Sequence, residues 1–116
     1  MKKKIFLTGS NGRIGSFLKK KLQKDYVVIG SDINVRNNLI DKNYINDVFK
    51  KNKFYAVIFC HGHNSTPVSK NSSNDISNFD EKSIQKFFDV NFFLNLRLIK
   101  NYIKYQKTGR VMNFTS

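Results

Sequence analysis

The chain holds one cysteine, one proline, one alanine and no tryptophan in its 116 residues. With Cys60 alone, no internal disulfide can form, and such sparse cysteine suits a reducing compartment, so a cytoplasmic location is expected. No apolar run approaches the roughly 18 residues that a membrane-spanning helix needs. The start, Met1-Lys2-Lys3-Lys4, is basic like a secretory leader. Its apolar stretch, Ile5-Phe6-Leu7, is too short for one before Gly9 and Asn11 interrupt it. Acid is scarce as well, with 8 Asp and Glu against 21 Lys and Arg, and the net charge is +13. That balance raises nucleic acid or an anionic surface as a partner. The lysines, however, are scattered along the chain as solvated helix faces would be. The abundance of Lys, Asn, Ile and Phe beside a lone Ala56 is also what AT-rich codons produce. Nucleic acid is therefore not the expected partner, and a membrane is not either.

What is present is a strand and helix alternation in a chain 40% hydrophobic, enough for one domain with a core. Lys3 to Thr8 reads as a buried strand, Gly9 to Gly15 as a turn, and Arg13 to Lys24 as a helix with Ile14, Phe17, Leu18 and Leu22 on one face. Tyr26 to Gly30 is a second strand ending at Ser31-Asp32, and Asn38 to Ile40 a very short third. Tyr44 to Lys51 is a helix, Tyr55 to Cys60 a fourth strand, and 61 to 80 a polar loop. Glu81 to Gln106 is a long helix, and Arg110 to Phe114 a fifth strand. Strands alternating with helices predict an α/β fold, a doubly wound parallel sheet of five strands in order 3-2-1-4-5. The wholly apolar fourth strand suits a centre covered on both faces. On the long helix, Ile84, Phe88, Leu94 and Leu98 fall near one stripe, while Phe92, Phe93, Leu96, Ile99 and Ile103 fill much of the rest. A helix apolar nearly all round is buried on more than one side.

Chemistry concentrates at the first turn. Thr8-Gly9-Ser10-Asn11-Gly12-Arg13-Ile14-Gly15 is a G-x-x-G-x-x-G turn between a strand and a helix, the context that makes this pattern a dinucleotide-phosphate site. Gly9 permits the tight turn, Gly12 lets the backbone approach a pyrophosphate, and Gly15 lets helix and strand pack closely. The helix N-terminus then favours phosphate. Asp32, followed by Ile33, ends the second strand about 20 residues on, where a carboxylate accepts hydrogen bonds from the adenosine ribose. NAD is the expected cofactor, with NADP the alternative because Arg13 or Arg36 could reach a 2′-phosphate. Cys60-His61-Gly62-His63 invites a metal reading, but zinc needs three or four ligands and no second cluster exists. No metal is expected, and these residues read as cofactor-lining loop.

Taken together these segments resemble the short-chain dehydrogenases/reductases, over the whole chain. The resemblance rests on the glycine turn, on Asp41 after the short third strand, and on Phe59-Cys60-His61-Gly62, where the family usually has Asn-Asn-Ala-Gly. It rests further on Asn91 in Phe88-Asp89-Val90-Asn91 and on Gly109-Arg110-Val111-Met112-Asn113-Phe114-Thr115-Ser116. It implies that residues 1–116 form an incomplete Rossmann domain that binds NAD(P) through Gly9 to Gly15, Asp32, Ile33, Asp41 (toward adenine), Cys60, His61 and Gly62. It implies that Asn91 helps order a proton-relay water, that Ser116 binds the substrate carbonyl, and that the intact protein transfers hydride between nicotinamide and a small carbonyl or alcohol substrate. It implies a homo-oligomer through the 81–106 helix. The glycine spacing is that of the family's epimerase-like branch, whereas the long helix and the Asn-Phe-Thr-Ser strand end resemble its simple dehydrogenases. A sugar-nucleotide epimerase or dehydratase is thus the alternative, and a non-catalytic nucleotide-binding protein another. The family's Tyr-x-x-x-Lys would fall beyond Ser116. No tyrosine of this chain has a lysine four places later, so the chain by itself is expected to be inactive.

Overall fold

The structure is a computed structural model and describes residues 1–33, 38–62 and 80–114. The chain runs β1 (Lys4–Thr8), α1 (Arg13–Leu22), β2 (Val27–Ser31), α2 (Lys42–Lys51) and β3 (Ala56–Phe59). It continues through α3 (Glu81–Phe88), a π-helical turn (Asp89–Phe93), α4 (Leu94–Tyr105) and β4 (Val111–Asn113). The strands are all parallel, in the order β2-β1-β3-β4.

Alternation along β1 explains the layering, since successive side chains point to opposite faces. Phe6 enters one core with Val57, Phe59, Phe49, Leu94, Leu98 and Tyr102, so α2 and α4 cover that face. Ile5 and Leu7 enter the other with Ile58, Leu18 and Leu22, where α1 lies. Phe6 is fully buried and packs edge-on to Phe49 at 5.2 Å between ring centroids. Burial of a ring of this size is worth roughly 1.5–3 kcal/mol. The direction in which the chain winds reverses between β1 and β3, which puts the ligand crevice of this architecture at their carboxyl ends.

The far end of α4 is clamped to the start of β3. The Gln106 side chain accepts from the Phe54 N–H at 2.8 Å and donates to the Phe54 carbonyl at 2.7 Å. The Tyr102 hydroxyl donates to that same carbonyl at 2.6 Å. Gly109 passes so close to Tyr102 that any side chain there would meet the ring.

Three expectations need correction. The described residues form four strands, not five. Asn38 makes a single bridge to Asp32. The chain then turns, because the Ile40 N–H donates to the Asn38 side chain and the Asp41 N–H to its carbonyl. Leu39 drops into the core rather than extending a ladder. Second, α1 ends at Leu22, whose carbonyl collects the N–H groups of Asp25 and Tyr26. Its Ile14 and Phe17 are exposed. The line of closest approach runs through Gly15, where a Cβ would overlap the Gly9 carbonyl, and this rotates those two side chains outward. Third, the long helix is not uniform. The Leu94 N–H bonds to the Asp89 carbonyl, five residues back. One extra residue in a turn rotates what precedes it by roughly 100°. Val90, Leu94, Leu98 and Tyr102 are buried, while Phe88 is exposed instead of joining their stripe.

Candidate functional site

The carboxyl ends of β1, β2 and β3 converge on the glycine turn. Gly9 has φ +67°, a conformation that costs an L-residue about 1–2 kcal/mol. A Cβ on it would lie 2.6 Å from the Cys60 carbonyl carbon and oxygen. The turn is therefore pressed against the end of β3 and admits only glycine at this point. The Gly12 N–H bonds to the Gly9 carbonyl at 3.0 Å, and Gly12 is the N-cap of α1 with no side chain to occupy the helix end. Arg13, Ile14 and Gly15 follow as the first helical turn, whose N–H groups no carbonyl within the helix can reach. Ser10 is buried, and its N–H is taken by the Ser31 carbonyl at 3.2 Å.

Asp32 lies across this turn. One carboxylate oxygen accepts from the Asn11 N–H at 2.9 Å and the other from the Ile33 N–H at 2.7 Å. The structure thus brings together Gly9, Ser10, Asn11, Gly12, Arg13, Ile14, Gly15, Asp32 and Ile33. Asp41 acts locally instead. It caps α2, accepting from the Asn43 N–H at 2.9 Å and the Tyr44 N–H at 3.4 Å. His63, Arg36 and Ser116 lie outside the described residues.

At the end of β3, the Cys60 N–H donates to Thr8 Oγ1 at 3.2 Å, and burial pushes the Cys60 thiol up. His61 stands between β1 and the π turn, with Gly62 exposed beside it. Its Nδ1 is 2.6 Å from Thr8 Oγ1, and its Nε2 bonds Asn95 Oδ1. Asn95 in turn donates from Nδ2 to the Asn91 carbonyl at 3.2 Å. An amide oxygen only accepts, so Nε2 carries the proton and Nδ1 receives the Thr8 hydroxyl. Burial holds the imidazole below its ordinary 6.5. The Asn95 oxygen, the Asp32 charge and the Val90 carbonyl oppose this without overcoming it.

Sequence reasoning gave no role to Thr8, although it heads the glycine motif, and missed Asn95 and Gly30 as members of this site. Gly30 interrupts an apolar strand, a signal of close approach, and a Cβ there would lie 2.8 Å from Ser10 Cβ. Nothing in sequence spacing marks Asn95. Among the described residues, no three His, Cys, Asp or Glu side chains gather to hold a metal ion. None of their helices is long and apolar enough to cross a membrane. A cavity of about 730 Å³ lies at the opposite, amino end of the strands, among Lys2, Lys3, Lys4, Lys53 and Arg110. It shares no residue with the glycine turn.

No family model matches the sequence, and no curated protein does. Solved structures do match in fold. A short-chain type dehydrogenase/reductase from Mycobacterium ulcerans superposes with a TM-score of 0.79 at 12% identity, over 98% of this chain and 51% of that one. A variant of ElxO with NADPH bound gives 0.79 at 16% identity, over 100% of this chain and 56% of its own. A short-chain dehydrogenase/reductase superfamily protein from Agrobacterium tumefaciens with bound NAD gives 0.72 at 20% identity, over 97% and 32%. The chain therefore has the Rossmann-type fold of these proteins, and it spans between a third and just over half of their length.

Proposed function

We propose that this chain is the dinucleotide-binding part of an NAD(P)-dependent oxidoreductase of the short-chain dehydrogenase/reductase kind. The observation that carries this reading is Asp32 held across a side-chain-free helix N-terminus. The residues fit a dinucleotide: Gly12 leaves the helix end bare, the first-turn N–H groups suit a pyrophosphate, and Asp32 retains lone pairs for ribose hydroxyls. Bound there, the nicotinamide supplies the hydride donor or acceptor, and the protein orients it. Ser10 supports the turn from below, because its N–H is already bonded. On this reading Cys60, His61 and Gly62 line the β3 side, Asp41 borders the adenine while its carboxylate caps α2, and Asn91 and Ser116 serve the reacting carbonyl. NAD is preferred, since the Asp32 carboxylate repels a 2′-phosphate. The exposed side of the long helix pairs with a second copy in the intact protein, and the compartment is the cytoplasm.

The test is titration of the chain with NADH, followed by nicotinamide fluorescence, for the natural sequence and for Gly12→Val. Binding that vanishes in the variant while its unfolding midpoint is retained supports the cradle. Equal binding by both would sink it. The second reading, a sugar-nucleotide epimerase or dehydratase, is favoured by the Gly9, Gly12, Gly15 spacing. A complete protein that binds NAD tightly, returns it unreduced and interconverts nucleotide sugars would establish that reading instead.

A further inference from the structure

A polar line runs from the end of β1 to the π turn, where it ends on the Asn91 carbonyl. Thr8 is fully buried and is the last residue of β1, directly before the left-handed Gly9. Its oxygen accepts the Cys60 N–H, and of the two acceptors within its reach, His61 Nδ1 at 2.6 Å and the Ile58 carbonyl at 3.4 Å, the nearer takes its proton when Nε2 holds the imidazole hydrogen. His61 passes a hydrogen bond from Nε2 to Asn95 Oδ1, and Asn95 passes one from Nδ2 to the Asn91 carbonyl. Every donor in the line points the same way, from the glycine turn to the π turn. A single tautomer of His61 permits this, and the imidazole ring between its ends is rigid. His61 is separated from Asn95 by 34 positions and from Thr8 by 53, so the line closes only through the tertiary fold.

We propose that His61 is a positioning residue. In its Nε2–H form it ties the helix turn that carries Asn91 to the strand end that carries the glycine turn, so that dinucleotide occupancy and the placement of Asn91 are coupled. The coupling rests on reading the glycine turn as a dinucleotide site; the hydrogen-bonded line does not. When the turn adjusts to a pyrophosphate, Thr8 moves with Gly9, and the ring transmits that movement to Asn95. Asp32 is the charged group that acts on His61 through space, and it also borders the ribose position. A glutamine in place of His61 offers an oxygen to Thr8 and an N–H to Asn95, the same polarity. A leucine offers neither.

Nitrogen NMR of the full chain, labelled at histidine and at the backbone, tests this. Without cofactor, at neutral pH, His61 gives the Nε2–H tautomer, and Asn95→Ala weakens the preference, the Val90 carbonyl being the acceptor that remains. With NADH, the amides of Asn91 to Asn95 shift along with those of Gly9 to Gly12. In His61→Leu and Asn95→Ala only the glycine-turn amides shift, and His61→Gln restores the helix response. NADH affinity falls several-fold in His61→Leu and in Asn95→Ala, and the double variant loses no more than the worse single one, as coupled neighbours do. If the tautomer ignores Asn95→Ala, if the helix amides respond in His61→Leu as in the natural chain, or if the affinity losses add, the inference is overturned. If NADH binds and the helix amides never move, the coupling alone falls. If NADH does not bind at all, the dinucleotide reading falls and the coupling with it. The cofactor-free tautomer measurement still decides whether His61 holds Asn95.

Discussion

Asp32 fastens the backbone at Asn11 and Ile33 with one carboxylate, and on the proposed reading that same carboxylate receives the ribose. Asp32→Ala should therefore weaken NADH binding by about tenfold or more, the size of one charge-assisted hydrogen bond. It should also erase the preference over NADPH, because the repulsive charge is gone. Parallel titrations of both cofactors check this, and tighter NADPH binding that ignores the substitution would contradict it. His61 sets the pH response. Burial depresses its folded value below the ordinary 6.5, so the unfolded chain binds the extra proton first. Its contribution to stability is intact above pH 6.5 and is lost as the pH falls toward the folded value. Urea midpoints should thus drop between pH 7.5 and 5, and His61→Gln should flatten that drop. An unchanged slope in the variant would place the titration elsewhere.

At the scale of the element, the long helix is the unbalanced one. Its buried line is Val90, Leu94, Leu98 and Tyr102, yet Phe88, Phe92, Phe93, Leu96 and Ile103 are each about half exposed or more. Exposed apolar side chains gathered on one helix are the surface that the proposed pairing with a second copy would bury. Leu96→Glu should convert self-associating chain to monomer, and sedimentation velocity over a concentration series reads it. A natural chain that stays monomeric throughout would remove the basis for the pairing. Much of the element plan was legible from periodicity: β1, the turn, α1, β2, α2 and β3 all lie within a few residues of where alternation and glycines put them. What periodicity could not supply was the π turn, because one inserted residue shifts the apolar phase without altering composition. The third strand failed for a related reason. Asn38 had the right place to pair, but Leu39 gained more by entering the core between α2 and the sheet.

For the molecule as a whole, the proposed reading puts the dinucleotide-binding residues early in the chain. Gly9 to Gly15 and Asp32 assemble within the first 32 residues, whereas no tyrosine in the 116 residues has a lysine four places later. General acid–base catalysis is worth about a hundred- to ten-thousand-fold. The 116-residue chain should therefore bind NADH weakly and oxidise it only at background rate against ketones and keto-sugars. Robust turnover by this purified chain would show that the reacting groups have been misassigned. β4 bears on its handling: Val111 and Met112 are exposed along a short strand at the sheet edge, an invitation to further strand pairing.

The sequence by itself determined what depends on near neighbours. The glycines, the apolar strand before them, the helix after them and the acid at the end of β2 lie within one βαβ span, and their spacing dictates how the turn closes. Only the tertiary structure decided which distant groups meet. Asp41 became a helix cap, Phe88 was turned outward, and His61 was set between Thr8 and Asn95. These outcomes depend on how sheet and helices pack against one another, and packing joins residues that no local period relates.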